Sequence, residues 1–395
     1  MQLIAQYLPP PQQRKYWLFA TDVTYQPRQF ASTLADRTYV YRPNPVAGNK
    51  PVTIGHDYSI SSFLPEKPNR LRMGCRHRRF APPWVAPLIV RWVKSTEKAS
   101  QVGTEQISAI TSDETLPFHD ELCVLTEDAS YSGRAHLAAV ASIPNLVSIV
   151  RLPRNRVVYR RFTPPDEDER PPGHPKWYGD RFDLKDPDTW PEPDDTAEGA
   201  VETKQGERHT AYVEGWHDMV RTGTREIPMH KYPFTLVRIR VVDADGEPVY
   251  KQPTWLVVLG ERREELSLAD IWQAYDQRSD GEHFHRFGKQ NLLMADYQTP
   301  EVDHEENWWQ IVQLAYISLW LARSLAEVHR RPWERYLPQP EPGCPSPSLV
   351  QRDLERIILK LGTPARPPEP RGYSPGRAKG SKPPPRERQP VIRKG

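Results

Sequence analysis

The sequence has few cysteines and no long apolar run. Its three cysteines, Cys75, Cys123 and Cys344, lie far apart and form no Cys-x-x-Cys pair, so they indicate neither a disulfide framework nor a zinc finger. No apolar stretch of about 18 residues and no charged-then-apolar leader is present, which argues against membrane spans and secretion. No internal repeat is visible. We therefore expect a cytoplasmic protein with free thiols.

Proline and basic residues are abundant instead. The chain of 395 residues contains 43 Pro and has a mean hydropathy of -0.73, so part of it should be loop or disordered. Its 37% apolar residues and 12 Trp can still build the core of two or three domains. The net charge of +3 is uneven, because residues 366–395 contain nine basic and two acidic residues. A basic tail on an acidic body favours a polyanionic partner.

The first half of the chain reads as strands with one interposed helix. Aromatic and β-branched runs predict strands at "YWLFATDVT", which contains Asp22, and at "RTYVYRP" and "KPVTIGHDYSISSFLP". The run "WVAPLIVRWVK", from residue 84, and the polar residues up to 100 predict a helix. Further on, "ELCVLTED", "SGRAHLAAVAS" and "NLVSIV" predict a strand, a helix and a strand. Asp128 ends the first of these strands, at the position where open α/β sheets gather ligand chemistry.

The second half begins with a change of composition. A Pro- and acid-rich stretch from residue 162 to 206 precedes strand-like segments, with "DADGE" as a hairpin turn. Ser267 and Asp270 resemble a capping box that opens a helix, and residues 304–330 predict a long core helix. After residue 338 only "SLVQRDLERIILKLG" looks helical, and we expect disorder from about residue 364.

The stretch "YDQRSDGEHFHRFGK" carries the most specific signal. Tyr275, Arg278, Glu282 and Lys289 follow one another at intervals of three, four and seven residues. On a helix these offsets place the four side chains within an arc of roughly 60°. A phenol, two cations and a carboxylate on one face suit a phosphate and a metal ion better than an apolar core.

Three acids occupy settings that favour metal binding. Asp22 and Asp128 lie at strand ends and Glu282 lies on the helix. Half-buried carboxylates are costly unless they are paired or bound to a metal, and acids alone suit Mg²⁺ or Mn²⁺. Two such ions can activate water and stabilise the leaving oxygen in phosphodiester cleavage. Each acid taken alone is more often a turn, capping or solvated residue.

These residues resemble the DDE transposases of bacterial insertion sequences, in the group with a Tyr-x2-Arg-x3-Glu-x6-Lys signature. The region around "FATDVTYQPRQF" is similar to the first-aspartate region of that group, and "CVLTEDASYSGR" is similar to the second. The resemblance implies an α/β fold, a ribonuclease-H-like mixed sheet with flanking helices, interrupted by a mostly β insertion. The boundaries would be residues 1–150 and 266–335 for the core, 151–265 for the insertion and 336–395 for a largely disordered basic tail.

The resemblance also implies roles for single residues. Asp22, Asp128 and Glu282 would hold two Mg²⁺ or Mn²⁺ ions. Arg278 and Lys289 would contact DNA phosphates, Tyr275 would position the same backbone through its hydroxyl, and Trp255 would stack on a flipped base. The partner would be double-stranded DNA, both transposon ends and target, bound by a homodimer in the bacterial nucleoid. The activity implied is metal-dependent cleavage of transposon ends and strand transfer.

Several alternatives stay open from the residues themselves. The chain begins 21 residues before Asp22, without the amino-terminal region that reads terminal repeats in that family, so we expect no preference for element ends over random duplex. Two other hypotheses stay open. The chain is either a non-catalytic remnant of a transposase that only binds DNA, or a metal-dependent nuclease with the same core but no strand transfer. Glu127 should face away from Asp128 because strand residues alternate. Three histidines, His56, His283 and His285, and also Trp255 have plainer structural interpretations. A basic cluster after the second aspartate either tracks DNA phosphates or forms a solvated face: Arg151, Arg154, Arg156, Arg160 and Arg161.

Overall fold

The fold is that of a computed structural model, which describes residues 1–42, 50–66, 84–163, 176–202, 207–327, 331–336, 345–362, 380–382 and 385–394. Twelve strands form one sheet. They are β1 (Trp17–Pro27), β2 (Thr38–Tyr41), β3 (Val52–Phe63), β4 (Ala86–Val93), β5 (Cys123–Glu127), β6 (Leu146–Leu152), β7 (Val157–Arg161), β8 (Tyr178–Asp183), β9 (Asp195–Glu202), β10 (Arg208–Val220), β11 (Phe234–Val242) and β12 (Thr254–Leu259). The helices are α1 (Gln2–Ala5), α2 (Ala99–Thr111), α3 (Arg134–Ala141), α4 (Leu268–Gln277), α5 (Gly281–Asn291), α6 (Val302–Ala322) and α7 (Pro347–Leu361).

The sheet is open, mixed and mostly antiparallel. Its order is β2-β3-β1-β5-β6-β12-β11-β10-β7-β8, with β4 on β3 and β9 on β10. β1 is antiparallel to β3, whereas β5 and β6 run parallel to β1. The crossover from β5 to β6 contains α3, as the strand, helix, strand pattern predicted. The architecture is therefore mixed α/β, and it is compatible with a ribonuclease-H-like fold.

The residues between β6 and α4 form the second half of the same sheet. Strands β7 to β12 all fall between residues 157 and 259, within the expected mostly β range. The Pro- and acid-rich composition of residues 162–206 predicts an irregular segment, and this prediction is wrong for β8 and β9, which lie inside it. Trp216 and Trp255 fill its core together with Phe182. β12 pairs antiparallel with β6, so the strands of this region continue the sheet directly. Its treatment as a separate insertion, with boundaries at residues 151 and 265, stays a prediction.

The helix predicted at residues 84–100 is wrong. Residues Ala86–Val93 form β4, which pairs with β3, and the helix that follows is α2. The run is rich in β-branched and apolar residues, and Pro87 is tolerated because β4 has only one strand neighbour. α2 was missed because small and polar residues interrupt its apolar stripe, although Val102, Ile107 and Ile110 are buried.

The expected disorder of the tail is wrong for its last residues. Residues 385–394 lie against β2 and β3, where Ile392 bridges Thr38 in parallel and donates its backbone N–H to Arg37 O at 2.8 Å. Two tail cations pair with acids of the body, Arg386 with Glu301 at 2.6 Å and Lys394 with Asp57 at 3.5 Å. Residues 363–379 lie outside the described ranges. Helix α7 lies where the amphipathic pattern predicted it.

Helix α6 crosses the core and carries a buried acid. Glu305 accepts hydrogen bonds from Arg28 Nε and from Tyr58 OH, and it pairs with His56 Nδ1 at 2.9 Å. Trp309, one turn further, stacks on Tyr58 with ring centroids 4.0 Å apart. A fully buried charge network of this kind holds the helix in one position on the sheet. None of the helices in the described ranges is both long and apolar enough to cross a membrane.

Candidate active site

Asp22 lies in the middle of β1 and not at a strand end as predicted, because the strand continues to Pro27 in its pairing with β3. Its carboxylate is half-buried, and Oδ1 accepts the backbone N–H of Val23 at 2.8 Å. Burial raises the pKa of Asp22 to about 6, the Val23 N–H and Arg278 oppose the rise, and the carboxylates of Asp128 and Glu282 add to it. The three predicted acids therefore act on one another electrostatically, with Asp22 affected by both of the others.

Asp128 comes to this place through the parallel pairing of β1 and β5. The register runs from the pair Trp17 and Cys123 to the pair Ala20 and Thr126, and each aspartate follows two residues after that last pair. Neighbouring strands are about 4.8 Å apart. Asp128 also caps the turn that follows, because its Oδ1 accepts the Ser130 N–H at 2.8 Å and the Ser130 hydroxyl at 2.5 Å. One carboxylate oxygen is thus fixed by the turn.

Glu282 lies on α5, a helix that contacts β1 through Lys289. The predicted capping box is present at the start of α4, where Ser267 and Asp270 bond each other's backbone N–H groups. A 3₁₀ turn at Arg278–Asp280 joins α4 to α5, and Glu282 is the second residue of α5. Its side chain is exposed. The motif, which was predicted to lie on one helix, thus spans two helices, and the 3₁₀ turn between them ends just before Gly281.

The two basic residues of the motif, Arg278 and Lys289, both interact electrostatically with Asp22. Lys289 Nζ donates to Thr24 Oγ1 at 2.7 Å and lies 4.3 Å from the centroid of the Tyr25 ring, so α5 packs directly on β1. Burial lowers the pKa of Lys289 to about 8, against the opposing effect of Asp22. The Arg278 guanidinium lies 5.7 Å from the Tyr275 ring centroid. Burial raises the pKa of Tyr275, so this phenol stays protonated and able to donate a hydrogen bond.

Two further residues act on this place: Arg151, which the sequence placed only in a basic cluster, and Tyr131, which was not predicted from the sequence. Arg151 of β6 opposes the rise in the pKa of Tyr275, second to Arg278, which places a further cation beside the phenol. Tyr131 is buried, and burial together with Glu127, Asp22 and Asp128 raises its pKa far above the ordinary value. A buried, neutral phenol therefore lies near Asp22 and Asp128. Its only sequence signal was its position three residues after Asp128.

Glu127 points away from the site, as strand alternation predicted. Its Oε2 is 2.7 Å from His136 Nε2 and accepts the Ser148 hydroxyl at 3.1 Å. Burial lowers the pKa of His136, but the charge and hydrogen bond of Glu127 outweigh it and the net change is upward. Glu127 and His136 therefore form a buried ion pair that anchors the strand end beside Asp128.

The remaining predicted side chains lie elsewhere or serve the core. Trp255 is 1% exposed and packs edge-on against Trp190 and Phe182, so no face of its ring is open to a flipped base; its buried position corrects the expectation of stacking. His56 is held by Glu305 and by the Ala35 carbonyl. Burial, with Lys289, lowers the pKa of His285 to about 3, so this imidazole is neutral.

The donor chemistry fits a hard cation, although the acids do not form a closed cage. Among the described residues, no three His, Cys, Asp or Glu side chains gather around one metal position. Burial is the largest cause of the raised pKa of Asp22, about 6, and the carboxylates of Asp128 and Glu282 add to it. A divalent cation bound by carboxylate oxygens would lower the cost of ionising Asp22.

The comparisons agree with this chemistry. The family model of the DDE superfamily endonucleases matches residues 1–221, a range that includes Asp22 and Asp128 and ends before Glu282. No curated protein matches the chain. Enzymes of this family act on DNA and generally use divalent metal ions. Because the matched residues make up more than half of its length, the chain belongs to the DDE superfamily endonucleases.

Proposed function

We propose that the chain is a transposase that cleaves DNA at the ends of a mobile element and joins the freed 3′ ends to target DNA. The observation that carries this proposal is the match of residues 1–221 to the DDE superfamily endonucleases. It is supported by the carboxylates of Asp128 and Glu282, which both add to the rise in the pKa of Asp22 that burial mainly causes.

The proposed cleavage is an in-line displacement at phosphorus. Water attacks the phosphodiester, the bond to the 3′ oxygen breaks, and that oxygen leaves with its electron pair to become a 3′ hydroxyl. In strand transfer the 3′ hydroxyl takes the place of water and attacks a phosphodiester of the target, so one bond forms for each that breaks. Two divalent cations, when bound by Asp22, Asp128 and Glu282, supply Lewis acidity to the nucleophile and the leaving oxygen.

The chain's own basic and phenolic groups position the DNA. Arg278 and Lys289 would each contact a non-bridging phosphate oxygen, because both cations lie near the carboxylate of Asp22. Tyr275 would donate its hydroxyl proton to the same backbone. Burial lowers the pKa of Lys289 to about 8, so the lysine is mostly cationic at neutral pH. Arg151 adds a further cation beside Tyr275.

Asp128→Asn tests the proposal with little change of shape. The asparagine keeps an acceptor for the Ser130 N–H but loses the charge that would hold a cation. We expect Mg²⁺- or Mn²⁺-dependent cleavage of a labelled duplex to fall by at least about 100-fold, with DNA binding retained. Asp120→Asn is the matched control, because that side chain is 94% exposed and precedes β5. Equal cleavage by Asp128→Asn and wild type would refute the proposal.

The same reaction mixture separates the alternatives. A labelled DNA with a free 3′ hydroxyl, incubated with a plasmid, should become covalently joined to it if the enzyme performs strand transfer. Cleavage without joined product would identify a metal-dependent nuclease. Binding without either product, in the presence of Mg²⁺ and of Mn²⁺, would identify a protein that only binds DNA.

A further inference from the structure

Three arginines gather on the far side of the turn that follows Asp128. Arg134 is the first residue of α3, Arg156 precedes β7, and Arg221 follows β10. The antiparallel pairing of Val220 with Tyr159 brings the last two together. Arg221 donates to the Ser132 carbonyl at 2.7 Å, and Arg134 donates to the Thr222 carbonyl at 2.7 Å. The three guanidinium groups, here called the arginine triad, thus meet where the turn touches β7 and β10.

The arginine triad has no acid to balance it. Among the described residues, none of its three members forms an ion pair with a carboxylate, and the hydrogen bonds of Arg134 and Arg221 go to carbonyl and hydroxyl oxygens. The Nε of Arg156 is buried without an acceptor. Burial, and then Arg156 and Arg134, lower the pKa of Arg221 to about 10, so the other charges that act on it are both cations. Such a cluster is costly unless an anion binds.

Arginines of β7, of β11 and of the turn after β12 show the opposite arrangement. Arg160 pairs with both oxygens of Asp194 at 2.7 and 2.8 Å. Arg238 makes a bidentate pair with Glu214, and Arg263 lies 3.4 Å from Asp218. These three arginines are thus neutralised by acids, whereas Arg134 and Arg156 have no carboxylate partner among the described residues. Arg134 and Arg156 are half-buried, so the cluster can be reached from solvent.

We propose that the arginine triad binds a backbone phosphate of the DNA, close to the cleaved bond but separate from it. A guanidinium fork matches the oxygens of a phosphate, and three forks around one position suit no neutral ligand as well. The chain from Asp128 to Ser132 spans four residues, which is at most about 14 Å. A single strand that lies at the carboxylates would reach the arginine triad within a few nucleotides. This inference rests on the proposed action on DNA.

The test is the salt dependence of DNA binding without divalent metal. The double variant Arg134→Gln, Arg156→Gln leaves the buried Arg221 in place. We expect its affinity for a labelled random duplex to fall about tenfold at near-physiological salt, and the slope of log affinity against log salt to become shallower by about one. The matched control is Arg181→Gln, Arg240→Gln, which removes the same charge from exposed arginines that pair with Asp183 and Glu214.

The outcomes are separable. A slope equal to that of the control would overturn the phosphate site. If the double variant melts below the assay temperature, the single variant Arg134→Gln carries the comparison, with an expected loss of about threefold in affinity; no loss would again overturn the site. A wild-type chain that fails to bind duplex at low salt would instead refute the proposed function. Wild-type binding with an unaffected double variant refutes the phosphate site alone.

Discussion

Asp22→Asn should stabilise the metal-free protein while it removes activity. In the folded chain the pKa of Asp22 is raised from 3.8 to about 6, mainly by burial. The difference corresponds to about 3 kcal/mol at about 1.4 kcal/mol per pKa unit. The raised pKa means that the folded state binds the proton more tightly than the unfolded state. Ionised Asp22 therefore destabilises the fold above about pH 6, and the cost disappears below the unfolded pKa, near pH 4.

Asparagine keeps the acceptor for the Val23 N–H and never ionises. With a chelator present, we expect urea unfolding at pH 7.5 to show a gain of up to about 3 kcal/mol for Asp22→Asn, and no gain at pH 4. The control Asp245→Asn, in the exposed hairpin turn after β11, should change stability by less than about 0.5 kcal/mol. A variant that is equally stable or less stable than wild type at pH 7.5 would refute the destabilising burial of the Asp22 charge.

Three further outcomes are expected. Arg278→Ala should weaken binding of the cleavage site and flatten its salt slope by about one; loss of stability with an unchanged slope would make this arginine structural. Glu305→Gln should lower the free energy of unfolding by about 3–5 kcal/mol, because Arg28 and His56 lose the charge that they bury with it; a change below about 1 kcal/mol in a urea titration would contradict this. Deletion of residues 385–395 should cost about 1 kcal/mol, through the lost bridge and ion pairs, in a thermal melt; an unchanged melting temperature would show that the segment only rests on the body.

Local sequence patterns predicted those features of the site that depend on residues close together in the chain. The capping box at Ser267 and the turn of Glu127 away from Asp128 follow from the spacing of residues along one element. The nearness of Asp22 and Asp128 needed only that two strands run parallel and side by side. These features were accessible because each depends on one periodicity and one neighbour.

Other features depend on long-range contacts that leave no local pattern. The strand β4 was taken for a helix because a short apolar run has no period that separates the two structures. The last residues of the tail bind the edge of β2, and their composition, rich in Pro and Arg, gave no sign of a partner. The arginine triad assembles from α3 and the ends of two strands, across nearly ninety residues, so only the pairing of β7 with β10 brings it together.

The most direct test of the account is the metal-dependent cleavage rate of Glu282→Gln. Glu282 lies outside the residues matched by the family model and is exposed, so its place beside Asp22 depends on the fold alone. If the three acids act as one site, this variant should cleave duplex DNA as slowly as the triple variant Asp22→Asn, Asp128→Asn, Glu282→Gln, because residues that act as a unit are not additive. Glu226→Gln, in an exposed loop, should cleave at the wild-type rate. A Glu282→Gln variant that cleaves as fast as wild type would contradict the account.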